Sequence, residues 1–344
     1  MNLISKSNII NRISYLIKMA MMFDPSMPLP ANVHLVPPHP QKHQYYLQQA
    51  DIIQHAILGL GTDCRSITEV IIRNTSEDLA WIGLEYKRHF GHDIIEDIAG
   101  DTSFNYRDLI VSFFVPRFQR WAMWVHESLV PHDDEKPEYR LLLDLIIPAT
   151  MDDFDRLQVA YFTVYRRQLL DDMTYYLPHE HWAYLLVAWV RREKTNEGDP
   201  AEEADMLYKA AKGLGTTEAI FIFVLAKADR DLFGQILEAY QARHKKELRD
   251  VIKSEFAFIN EDAFCMAHDA NIHPAKTIAY ILHESMKWLG TNDKRLIQCT
   301  SLFRDRYWSD VPKFYQKYGS LEKDLKGDTS GQYGRALKLL WGFN

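Results

Sequence analysis

Gly59-Leu-Gly-Thr62, with Gly100-Asp-Thr-Ser-Phe-Asn-Tyr106 some forty residues downstream, is a pair of strings that returns along this chain. Gly213-Leu-Gly-Thr216 repeats the first string and Trp288-Leu-Gly-Thr291 varies it. Gly327-Asp-Thr-Ser-Gly-Gln-Tyr333 repeats the second. The second glycines stand at 61, 215 and 290, so a period near 75 residues gives four units, the second of them without its loop. Self-similarity at a fixed period marks a repeat architecture, in which each unit buries its apolar face only by stacking on another.

Each unit ends on the same helical stripe. Tyr106, Leu109, Ile110, Phe113 and Phe114 fall at i, i+3, i+4, i+7 and i+8. Trp182, Leu185, Leu186, Trp189 and Val190 do the same in the second unit, and Tyr333, Ala336, Leu337, Leu340 and Trp341 in the fourth. The third keeps the register with Ala263, Phe264 and Ala267. That spacing is one face of an α-helix, and alternating β-branched runs bounded by turn pairs are missing. The expected fold is all-α, about five short helices per unit, with units at 44–115, 116–195, 200–270 and 271–344.

Upstream, residues 1–43 read as a tail. Residues 1–23 hold no acid; Leu3, Ile4, Ile9, Ile10, Ile13, Leu16 and Ile17 recur at helical spacing, with Lys6, Arg12 and Lys18 among them. This basic amphipathic segment leaves three readings open: a membrane-surface or partner-binding helix, a targeting segment, or an extension upstream of a start near Met19, Met21 or Met22. Six prolines between 24 and 40 predict an extended linker, with the folded body starting near Gln44.

Composition narrows the function. The 344 residues carry 40 Lys+Arg and 47 Asp+Glu, a net charge of −7, with 47% hydrophobic residues. This is an ordinary globular balance, and its sign argues against a nucleic-acid partner, which needs a basic face. Cys64, Cys265 and Cys299 fit neither a disulfide framework nor a zinc pattern, which points to a reducing compartment, the cytoplasm. No apolar run reaches the ~20 residues of a membrane-spanning helix, so any membrane contact is expected to be peripheral. No enzyme constellation is visible: there is no Gly-x-Ser-x-Gly or His-Glu-x-x-His, and His179 and His181 beside Glu180 read as a helix-start loop.

The glycine loop has several readings. A dinucleotide fingerprint needs a strand before it and a third glycine, where Cys64 or Glu218 stands. A phosphate-binding Walker loop needs Gly-Lys-Ser/Thr, which is missing. A tight helix–helix turn remains, with the Thr62 or Thr216 hydroxyl capping the next helix. So does a calcium loop, because glycine turns let successive carbonyl oxygens converge and calcium takes six to eight oxygens. Calcium also needs a carboxylate. Asp101 stands forty residues after Gly61, Glu255 forty after Gly215, and Asp328 thirty-eight after Gly290. The competing reading makes Asp101 and Asp328 plain N-caps of the helices that follow.

On these residues, together with Tyr86-Lys-Arg-His-Phe-Gly91 and Asp93-Ile-Ile-Glu-Asp97, the chain over roughly 44–344 resembles the annexin family. The resemblance implies four five-helix repeats in a slightly curved disc, calcium sites on its convex face and calcium-dependent binding to acidic phospholipid. It implies a first site from the carbonyls of Ile57, Gly59 and Gly61 with Asp101, and a third from Ala211, Gly213 and Gly215 with Glu255. A fourth would use Met286, Trp288 and Gly290 with Asp328, although Trp288 replaces the family's first glycine and the spacing to the acid is two residues short. Lys212, Lys287 and Trp288 flank these loops as candidate lipid contacts. In the second repeat, 130–137 replaces the glycine loop, Leu177 falls where the acid belongs, and Asp133, Asp134 and Glu135 are either a cation site or a solvated turn. An annexin-fold scaffold is the alternative function, binding cytoskeleton or protein partners with little calcium dependence. A further alternative has residues 3–22 engaging a helix-binding protein.

Overall fold

The computed structural model describes residues 40–59, 61–131, 137–191, 194–212, 218–287 and 290–344. The tail segment 1–23, most of the linker, and Asp133, Asp134 and Glu135 lie outside the described residues.

Twenty helices are described, in four runs of five. The first run is α1 Pro40–Ile57, α2 Cys64–Arg73, α3 Ser76–Phe90, α4 Ile94–Asp101 and α5 Phe104–Phe114. The second is α6 Arg117–Leu129, α7 Tyr139–Ile146, α8 Met151–Tyr165, α9 Leu169–Tyr176 and α10 His181–Arg191. The third is α11 Pro200–Lys212, α12 Glu218–Lys227, α13 Arg230–His244, α14 Leu248–Glu255 and α15 Phe258–Ile272. The fourth is α16 Pro274–Met286, α17 Asp293–Tyr307, α18 Val311–Tyr315, α19 Leu321–Asp328 and α20 Gly331–Leu340. The first helix opens at Pro40, upstream of the start read at Gln44. Proline suits a first helical position because its missing N–H has no intrahelical acceptor there. Among the described residues there is no strand, only an isolated bridge between Thr195 and Ala228.

Local sequence explains the helix limits. Thr75 and Asp78 close a capping box on α3, and Thr150 and Asp153 another on α8. In each, the hydroxyl takes one orphan backbone N–H and the acid returns to a second. The helices α4, α9, α14 and α19 are all eight residues long. The terminal stripes are buried as their periodicity requires: Leu109, Ile110, Leu186, Val190, Ala267, Leu337 and Leu340 are fully enclosed.

The chain divides into two compact units. One joins the chain up to Arg120 with Trp288–Ser309 and Ser320–Asn344. Among its buried residues are Arg120 and Arg304. Arg120 donates to the carbonyls of Ser112 and Val115 at 2.8 Å and of Ser301 at 2.5 Å. Burial pulls its guanidinium down to about 9, so it stays charged at neutral pH. Arg304 donates to the Leu340 carbonyl at 2.9 Å, joining α17 to the end of α20.

The other unit joins Trp121–Lys287 with Asp310–Gly319. Its polar centre is Asp269, 1% exposed, which takes Arg249 Nε at 3.0 Å and faces His268, Lys276 and Lys317. Burial alone would raise this carboxyl, but the His268 hydrogen bond and the cations around it hold it well below the usual range. A buried carboxylate persists only when paired in this way.

Candidate calcium loops

In the first repeat α1 ends at Ile57 and the chain turns back at once. Gly59 N–H donates to the Ile57 carbonyl at 2.9 Å, and Asp63 N–H to Ala56 at 2.9 Å. Gly61 takes φ +91°, in the left-handed region where a side chain would be strained. Gly290 takes φ +96° in the fourth repeat. The two matched glycines therefore share the same left-handed φ.

The acids stand at helix ends. Asp101, Glu255 and Asp328 are the last residues of α4, α14 and α19, and all three are exposed. The reading of Asp101 and Asp328 as N-caps is therefore overturned. The caps of the following helices are Ser103 and Ser330, neither bonding through its side chain. A helix C-terminus carries about half a negative charge from its unpaired carbonyls, so an acid is the wrong sign for that place unless a cation joins it. No base stands in the last turn of α4 to offset it. Burial, followed by the nearby Asp324 charge, raises the Asp328 carboxyl.

A threonine ties two of these acids, Asp101 and Asp328, to their glycine turns. The Thr62 hydroxyl lies 2.8 Å from the Asp101 carbonyl and 2.5 Å from its Oδ2. The Thr291 hydroxyl donates to the Asp328 carbonyl at 2.7 Å. This corrects the expectation that Thr62 caps the next helix. Asp63 does that, accepting from the N–H of Ser66 at 3.1 Å while the Ser66 hydroxyl holds its second oxygen at 2.7 Å. Asn292 caps α17 in the same way. The Tyr106 hydroxyl, donating to the Cys64 carbonyl at 2.9 Å, fastens α5 to the same loop.

The structure thus brings together Asp101 with the turn at Gly61, and Asp328 with the turn at Gly290. Gly213, Gly215 and Trp288 lie outside the described residues. Ala211 and Lys212 close α11, with the Lys212 ammonium 4.4 Å above the Tyr208 ring. Met286 closes α16 and is 5% exposed, while Lys287 pairs with Glu284 at 3.0 Å. Counted from the start of its eight-residue helix, the second repeat places Tyr176, not Leu177, where the other three carry their acid. Trp182 stands six residues beyond this helix end, where Tyr106 and Tyr333 stand five beyond Asp101 and Asp328, so a count back from the stripe gives Leu177. Tyr176 instead stacks under the Arg167 guanidinium at 5.6 Å.

Chemically, the first loop offers hard oxygens: one carboxylate and the backbone of a tight turn, beside the negative ends of α1 and α4. Among the described residues no group of three or more His, Cys, Asp and Glu side chains converges as a metal cage would require. A cation here needs peptide oxygens, and the donor set fits calcium rather than zinc or copper.

The family model described as annexin matches residues 48–113 and 202–263, the first and third repeats. Human annexin A4 is 27% identical over 303 residues, covering 86% of this chain and 94% of that protein. Among solved structures, annexin III superposes with a TM-score of 0.77 at 24% identity, over 90% of this chain and 97% of that one. Calcium-bound alpha-1 giardin superposes with 0.79 at 20% identity, over 87% and 99%. Four five-helix repeats, a glycine turn faced by a helix-end acid, and these similarities together show a chain similar to the annexin family in sequence and in fold.

Proposed function

We propose that this chain binds acidic phospholipid membranes in a calcium-dependent manner, through its first, third and fourth repeats. Calcium-dependent phospholipid binding is general in the annexin family; the assignment to these loops is the finer step. The observation that carries it is the tie between a helix-end acidic residue and a left-handed glycine turn, made by Thr62 to the carbonyl and carboxylate of Asp101 beside Gly61 and by Thr291 to the carbonyl of Asp328 beside Gly290. Glu255 ends its helix in the same position.

In the first loop Asp101 supplies the charge, the carbonyls of Ile57, Gly59 and Gly61 supply neutral oxygens, and Thr62 fixes the carboxylate against the turn. In the third, Ala211, Gly213, Gly215 and Glu255 take the corresponding roles. In the fourth, Gly290 and Asp328 do. A calcium ion so held keeps coordination positions that a lipid phosphate oxygen completes, so calcium and membrane strengthen each other's binding by the same factor. One carboxylate per loop makes each site weak alone, and several loops on one membrane multiply into avidity. Lys212, beside the third loop, adds charge attraction to anionic headgroups. The second repeat has Tyr176 in place of an acid and is not assigned a site.

The test is sedimentation with phosphatidylserine vesicles over a calcium titration. Asp101→Ala with Glu255→Ala should raise the calcium needed for half-maximal binding at least tenfold. An unchanged requirement would show that these carboxylates are not ligands.

A further inference from the structure

The most exposed large apolar side chains among the described residues crowd one kind of place. Phe258 is 85% exposed, Phe104 79%, Tyr175 78% and Leu58 67%. Leu58 sits in the first glycine turn, and Tyr175 next to the helix-end Tyr176. Phe104 and Phe258 each stand three residues beyond a helix-end acid, Asp101 and Glu255.

These two phenylalanines are also strained. Both have φ +54°, in the left-handed region. In the fourth repeat the matched position, three residues beyond Asp328, is Gly331 with φ +61°. The corner therefore demands a left-handed residue whatever occupies it, and glycine is the relaxed choice. A bulky aromatic there is a conformational outlier, and such outliers persist where the side chain itself is needed. Packing does not supply the need, because both rings face solvent. Two repeats reach the same costly solution independently, each beside its carboxylate.

We propose that Phe104 and Phe258 are membrane anchors, their rings entering the headgroup–acyl boundary of an anionic bilayer when the adjacent loops engage it. This rests on the calcium-dependent membrane reading above. The occupant follows from position: an apolar ring beside a carboxylate meets both chemistries at once only where a phosphate layer, bridged by the cation, overlies hydrocarbon. Aromatic side chains suit that depth. Calcium bridging sets the approach and the rings deepen it, so the apolar part should survive high salt while the ionic part weakens.

The test uses the full chain, vesicles of phosphatidylcholine and phosphatidylserine, and saturating calcium. Phe104→Gly with Phe258→Gly relaxes both corners, so thermal stability should hold or rise. Vesicle affinity should nevertheless fall about tenfold per ring, from the apolar surface no longer buried, with chelator reversal intact. Phe104→Leu with Phe258→Leu keeps apolar surface and should retain affinity within about fivefold on the same scale. Wild-type affinity in the glycine variant overturns the anchor assignment alone. Equal losses in both variants also overturn it, because they point to ring-specific packing. Failure of the unaltered protein to bind vesicles in calcium removes this proposal together with the reading beneath it.

Discussion

Replacing Asp101 by Asn separates a calcium ligand from a structural residue by the sign of its effect. Asp101 ends α4, is exposed, and has no base in that helix's last turn. A negative charge at a helix C-terminus costs about 0.3–1 kcal/mol, which the neutral amide recovers. Asn retains an oxygen for the Thr62 hydroxyl, now 2.5 Å from Oδ2. In chelator the variant should therefore melt about 1–2 °C above the unaltered protein, given roughly 2–4 °C per kcal/mol for chains of 150–250 residues. In calcium the order should reverse. Loss of the one carboxylate weakens the first site at least tenfold, which removes about 1.4 kcal/mol of ligand stabilisation once calcium exceeds the site's dissociation constant. Melting both proteins in chelator and in millimolar calcium reads both effects. A variant that is less stable in chelator, with an undiminished calcium increment, would refute the reasoning.

Three further outcomes concern the scaffold. Arg120→Ala should destabilise by about 3–5 kcal/mol, because the carbonyls of Ser112, Val115 and Ser301 lose a buried charged donor; urea unfolding measures it, and a loss below about 1 kcal/mol would contradict the assigned role. Gly61→Ala should cost about 1–2 kcal/mol in backbone strain alone, since a Cβ there meets nothing within 4 Å; an unchanged melting temperature would count against the left-handed turn. Burial holds the His268 imidazole below its ordinary 6.5, so the unfolded chain takes up a proton first. Its contribution is present above pH 6.5 and lost as pH falls through the folded value, so His268→Gln should flatten the melting-temperature slope below pH 6.5, and an unaltered slope would refute this.

Much of the fold is legible because repeats print their periodicity four times. Tyr106, Trp182 and Tyr333 mark the same helical face, and all three are buried. The acids were legible by distance from their glycines, but not their place on the helix. Asp-Thr-Ser before an apolar stripe reads equally well as an N-cap, and only the eight-residue length of α4 and α19 puts the acid at the preceding helix's end. The threonine tie joins positions 62 and 101, a separation that local capping rules do not cover. Leu177 misled because a one-residue insertion shifts the count from one side only. Phe104 and Phe258 did carry a signal, since Gly331 stands at the matched position in the fourth repeat. Its meaning needed the backbone angle and the exposure. Arg120 had no signal, as nothing in sequence separates a buried guanidinium from a solvated one.

The most direct test of the account is sedimentation of the full chain with phosphatidylserine vesicles in calcium and then in excess chelator. Calcium-bridged loops predict pelleting with the first and release into the supernatant with the second. Pelleting that persists in chelator would contradict a membrane contact made through a divalent ion.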